Sequence, residues 1–276
     1  MTAKARLART VKNLAATADR VRGPRPGVVV LIYHRVGGGS GLEVDLPVEL
    51  FAAQMELLAG EGRVVTLDAA LAALAALDGP SAPPGRDPVV ITFDDGTADF
   101  AEHAMPVLER HGVPATLYVA TSFVEDQQPF PADGTPLTWA ALGDAVSTGL
   151  LTVGSHTHTH ALLDRAAPDV VDDELSRSVE LIGERLGVSA EHFAYPKANA
   201  GSPAAERAVR ARFRSAALAG TRPNPYGRTD PYRLARSPIQ VADGMEWFRR
   251  KSEGGMALED TLRRLLNRRR YAGATT

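Results

Sequence analysis

Val89-Val90-Ile91-Thr92-Phe93-Asp94-Asp95-Gly96 is a β-branched and aromatic run that stops abruptly at two carboxylates and a glycine. A run without polar alternation is the pattern of a strand buried on both faces, as in a parallel sheet covered by helices. Gly27-Val28-Val29-Val30-Leu31-Ile32-Tyr33 upstream has the same character and ends at His34 and Arg35, before a glycine loop at 37–41. Between the two, helical spacing of Leu50, Phe51, Met55 and Leu58 after Pro47 predicts a helix over 47–59, and a second covers 68–77. Residues 79–88, rich in Pro and Gly, read as a surface loop.

Downstream the rhythm repeats, with helices over 98–111, 138–148, 168–186 and 202–212 and strands over 115–120, 150–154, 192–195 and 214–218. Strands alternating with helices predict parallel βαβ units, hence an α/β barrel or a doubly wound sheet.

A chain of 276 residues with 44% apolar and 23% charged residues can bury one sizeable core. Residues 27–244 are therefore expected to form one catalytic domain, flanked by a basic helical extension at 1–26 and a basic helix and tail at 245–276. A net charge of −2 gives no general attraction to nucleic acid, so no nucleic-acid partner is expected. Absence of cysteine excludes disulfides and thiolate metal sites, leaving His and carboxylates for any metal chemistry.

Basic residues interrupt the apolar ones throughout 1–26, unlike the apolar core of a signal peptide, and no stretch is apolar for the length of a membrane span. A cytoplasmic protein is expected. The arginine-rich ends allow peripheral contact with the inner face of the membrane, although basic amphipathic helices more often present a solvated face.

Functional residues of such folds gather at the carboxyl ends of parallel strands, where Asp94 and Asp95 stand. Alone, Asp-Asp-Gly also reads as a turn that caps the following helix. Gly154-Ser155-His156-Thr157-His158-Thr159-His160 follows another strand and holds three of the seven histidines. One loop with three imidazoles points to a metal rather than to solvated surface groups. Two histidines and one carboxylate leave open positions on an ion, suiting Zn²⁺ hydrolysis or Fe²⁺ chemistry, and the second aspartate of the pair supplies the base that hydrolysis needs.

These residues carry a family resemblance. The chain resembles the polysaccharide deacetylases of the NodB-homology type, whose first motif, T-F-D-D-G, stands at Thr92–Gly96 and whose second, H-[S/T]-x-x-H followed by Leu, stands at His156–Leu162. The likeness runs from about residue 27 to 240. It implies a distorted (β/α) barrel with fewer strands than an eightfold one, with outer helices. It further implies Asp94 as base, Asp95, His156 and His160 as metal ligands, and His158 outside the ligand set. His192-Phe193-Ala194-Tyr195-Pro196 resembles the family's third motif, implying that the Tyr195 N–H binds the oxyanion and that the loop with Pro196 walls the substrate groove.

Two family features find no match in the linear pattern. An arginine that orients the base has no counterpart before the third motif, and the closing L-x-H motif with the usual acid is absent, since no histidine follows His192. Tyr33-His34-Arg35-Val36 resembles the Y-H-R-V opening of a biosynthetic subgroup, making His34 the expected acid. The expected activity is removal of an N-acetyl group from an amino sugar of a poly- or oligosaccharide or glycoconjugate, with one divalent ion, Zn²⁺ by family habit and Co²⁺, Ni²⁺ or Fe²⁺ by ligand chemistry. Hydrolysis of another non-peptide C–N bond and an inactive metal-bearing glycan-binding module are the competing readings.

Overall fold

The computed structural model describes residues 26–76 and 86–258, together with Lys12, Thr17 and Gly23. Seven parallel strands close into a barrel: β1 (Val29–Tyr33), β4 (Val89–Phe93), β5 (Ala115–Val119), β6 (Leu151–Ser155), β7 (His192–Ala194), β8 (Ser215–Ala219) and β9 (Leu234–Pro238). Two short strands, β2 (Arg35–Val36) and β3 (Asp45–Leu46), form a separate parallel ladder beside the end of β1.

Alternation along each strand sorts the side chains. Val30, Val90, Tyr118, Ala194, Ala217 and Leu234 share one buried cluster inside the barrel. Their neighbours Leu31, Ile91, Leu117 and Val153 face outward beneath the helices. Among those helices are α1 (Val48–Glu61), α3 (Met105–His111), α5 (Trp139–Ser147) and α6 (Pro168–Leu186), the third of which succeeds the shorter α4 (Thr121–Asp126). Helix α2 (Leu67–Ala75) contributes Leu67, Ala70 and Leu74 to the inner cluster and so covers the amino-terminal mouth. Helix α7 (Pro203–Arg212) starts where the Ser202 hydroxyl accepts from the Ala205 N–H.

Strand β9 is the barrel strand that the sequence did not announce. Leu234-Ala235-Arg236-Ser237-Pro238 lacks an apolar run because it carries a buried arginine and serine and ends in proline. Nevertheless it closes the barrel, in register Val30↔Arg236, Leu31↔Ser237 and Ile32↔Pro238. Before Val30 the two strands part, and Asn224 fills the gap. Its backbone bonds Val28 in both directions (3.0 and 2.8 Å), while its side chain accepts from the Ala235 N–H at 2.8 Å and donates to Ala235 O at 2.9 Å.

Most of the helical extension expected at 1–26 and most of the loop over 79–88 lie outside the described residues. Lys12, within that first stretch, donates from Nζ to Asp243 Oδ1 at 2.6 Å, and Lys251 reaches Asp243 Oδ2 at 2.9 Å. Within the basic helix and tail expected over 245–276, α8 (Gly244–Ser252) ends in a turn at Glu253-Gly254, where Gly254 takes φ 78°. Phe248 of α8 packs into the main core, so this helix belongs to the barrel body. No described helix is long and apolar enough to cross a membrane.

Candidate metal and catalytic centre

Asp94 and Asp95 leave the end of β4 in different directions because the backbone turns between them. The Gly96 N–H donates to Asp94 O at 3.1 Å, closing a three-residue turn with Asp95 at its centre, φ 77°. A positive φ is costly for a non-glycine residue and persists only where the surroundings hold it, here by the bond from the Ala120 N–H to Asp95 O at 3.0 Å. Asp94 continues the inward parity of Val90 and Thr92 and is 5% exposed. Asp95 keeps 25% of its side-chain surface open and can meet an ion from solvent.

Arg236, fully buried, faces Asp94 from β9. Its Nη1 and Nη2 donate to Asp94 Oδ1 and Oδ2 at 2.6 and 2.8 Å, Nη1 also reaches Thr92 Oγ1 at 3.1 Å, and the guanidinium lies 5.0 Å from the Tyr118 ring centroid. Burial by itself raises the Asp94 pKa; the charge and hydrogen bonds of Arg236, with the charges of His156 and His34, outweigh it and bring the group to about 2. An arginine bonded to Asp94, which the linear pattern lacked, is therefore present, delivered by the last strand instead of by a residue before the third motif. It occupies the third position of Leu234-Ala235-Arg236, where the resemblance places the histidine of L-x-H.

His156, 1% exposed, follows β6. Its Nδ1 lies 2.7 Å from Ala194 O. A carbonyl only accepts, so Nδ1 carries the hydrogen and Nε2 is the ring nitrogen turned toward Asp95. That Nε2 stands 3.6 Å from Asp95 Oδ1, and His160 Nε2 stands 3.5 Å from the same oxygen. One donor atom from each of Asp95, His156 and His160 lies within 4.8 Å of the others. Burial first, and then positive charge at His156, push the His160 pKa down to about 4, so His160 is a neutral imidazole at neutral pH. Two imidazoles and one carboxylate converging with an open side fit a divalent cation. His158 turns away, its Nδ1 3.0 Å from Thr121 Oγ1.

His34 continues the inward parity of Val30 and Ile32, and the Asp94 N–H bonds Tyr33 O at 3.1 Å, which sets the two side chains on neighbouring strand ends. Its Nδ1 is buried and meets no hydrogen-bond partner among the described residues.

Tyr195 departs from expectation. Its N–H donates to Ala217 O at 3.1 Å, continuing the β7–β8 ladder, and is not free for an oxyanion. The ring faces outward against Phe193, centroids 4.9 Å apart, and burial raises the phenol to about 12. Pro196 is buried as well, so the exposed part of this loop is Lys197, which, like Ala198, holds φ 52°.

Residues 81–216 match the family model described as polysaccharide deacetylase. Over that stretch the protein is similar to the polysaccharide deacetylase family. A solved structure of IcaB from Ammonifex degensii superposes with the protein at a TM-score of 0.71, with 26% identity, over 83% of this chain and 98% of that one. The Streptococcus pyogenes deacetylase PplD, solved in complex with acetate, gives 0.70 at 22% identity over 83% and 99%, a likeness of fold. YxkH of Bacillus subtilis (strain 168), a protein that carries a polysaccharide deacetylase name, is 28% identical over 167 residues, which are 60% of this chain and 55% of the relative. The parallel barrel with outer helices is that of the NodB-type deacetylases.

Proposed function

We propose that the protein is a metal-dependent hydrolase that removes the N-acetyl group from an amino sugar within a poly- or oligosaccharide or glycoconjugate. The observation that carries the reading is one rim on which an ionised Asp94, locked by Arg236, stands beside the converging donors of Asp95, His156 and His160. A divalent ion held there, Zn²⁺ by family habit, would polarise the acetyl carbonyl and lower the pKa of water from 15.7 to roughly 7.

Asp94 takes a proton from the attacking water at a carboxylate oxygen. Held near pKa 2, it is a weak base toward ordinary water, so its role depends on that acidification. Arg236 keeps it ionised and aimed. Expulsion of the amine needs a proton on nitrogen, since an amide anion is a very poor leaving group, and His34 supplies it from the neighbouring strand end. Free amine on the sugar and acetate are the products. The Tyr195 N–H has no part in this scheme because Ala217 O holds it.

Acetate release and a loss of about 42 Da, the mass of a ketene unit set by amide hydrolysis, should be followed across N-acetylated glycans and nucleotide- or lipid-linked sugars. Deacetylation that disappears on metal removal supports the reading. Turnover of small cyclic amides in place of every acetylated sugar overturns it.

A further inference from the structure

We infer that Glu174 and Ser178, one turn apart on α6, form a positioning clamp that holds the His156–His160 loop in its ligating shape. The inference rests on the proposed metal site. The loop has two residues in the left-handed region, Thr157 at φ 64° and His160 at φ 62°, neither of them glycine. Such a backbone relaxes unless something external holds it.

Glu174 is 6% exposed and has no ion-pair partner among the described residues, yet both its oxygens are engaged. Oε2 accepts from the N–H groups of His158 and Thr159, both at 2.8 Å, and Oε1 accepts from the Thr159 hydroxyl at 2.6 Å. A buried carboxylate spent on two consecutive backbone N–H groups between two ligands serves the shape of that segment.

Ser178 holds the other side. Its hydroxyl donates to Leu175 O at 3.0 Å, which leaves its oxygen to accept from Ser155 Oγ at 2.6 Å, and Ser155 Oγ in turn accepts from the Thr157 N–H at 3.2 Å. His156 is thus flanked by residues tied to Ser178, and His160 directly follows residues tied to Glu174. Loss of an outer-shell partner of this kind typically weakens metal binding about 10–100-fold.

Zn²⁺ binding to the metal-stripped full chain, measured by chelator competition, tests the clamp. Glu174→Ala should bind Zn²⁺ about 10–100-fold more weakly. Glu174→Gln, which keeps an acceptor for the two N–H groups, should stay within a few-fold of wild type. Leu175→Ala, a core truncation on the same helix, should lower Tm and leave the affinity unchanged. Equal affinity for Glu174→Ala and wild type, or an equal loss in Leu175→Ala, overturns the clamp. Should Glu174→Ala not fold, the Thr159→Val, Ser178→Ala double variant decides: weaker binding supports the clamp and unchanged binding refutes it. A wild-type chain that binds no Zn²⁺ overturns the metal site itself, and the clamp with it.

Discussion

Asp94 donates nothing and accepts twice from Arg236, so its charge state and aim depend on one side chain from another strand. Asp94→Asn should keep the bound ion, whose ligands are other residues, and lose about 10²–10⁴-fold in turnover, as for removal of a general base. Metal content and kcat measured together check this, and a normal rate would mean that another group takes the proton. His34→Ala should likewise retain metal while losing most activity. A general acid works protonated, so it is the basic limb of the pH–rate profile that should vanish; an unchanged limb would refute the role. His158, bonded to Thr121 instead of facing Asp95, should be dispensable for metal binding, and loss of metal from a folded His158→Ala would show otherwise. The identities of Asp94, Asp95, His156 and His160 were legible because two motifs place them at strand ends. Arg236 was not, because its partner is 142 positions away and only barrel closure brings the two together.

Among the elements, β9 shows how a strand can be dictated by its surroundings. Its five residues include a buried arginine, a serine and a proline, so periodicity gives no signal; the open edges of β1 and β8 supply the pairing. Asn224 completes that closure with its side chain. Asn224→Ala should leave the Ala235 N–H and C=O without their partner, at a cost of about 1–3 kcal/mol for each unsatisfied buried group. Asn224→Asp keeps the acceptor for the N–H and loses the donor, and should cost less. Urea unfolding with an unchanged m-value would measure both. Helix α6 was predicted at its observed bounds, Pro168–Leu186, but its polar residues at 174 and 178 carry no signal of their contacts until the His loop lies across them.

Stability of the molecule as a whole should be sensitive to acid. The folded pKa of Asp94, about 2, lies below its ordinary 3.8, so its contribution of roughly 2 kcal/mol is present above pH 4 and lost as the pH falls toward 2. Asp243 behaves alike: burial would raise its pKa, but Lys251 and Lys12 pull it below the usual carboxylate value. Two ammonium groups converge on that one carboxylate, so Asp243→Asn should destabilise by about 3–5 kcal/mol, the cost of breaking a buried ion pair by removing one partner. Thermal melts across pH 2–7 check the acid window, and a flat profile would contradict it. By itself, the sequence determined the alternation of buried strands with helices, because both-face burial demands apolar runs, and it brought Asp95, His156 and His160 forward as a candidate donor set, because the motifs stand at strand ends. Only the tertiary structure decided how the barrel closes, which arginine holds Asp94, and that the Tyr195 N–H is spent on Ala217. Each of these is a contact between residues far apart in the chain, and its energy exists only once the strands on either side are in place.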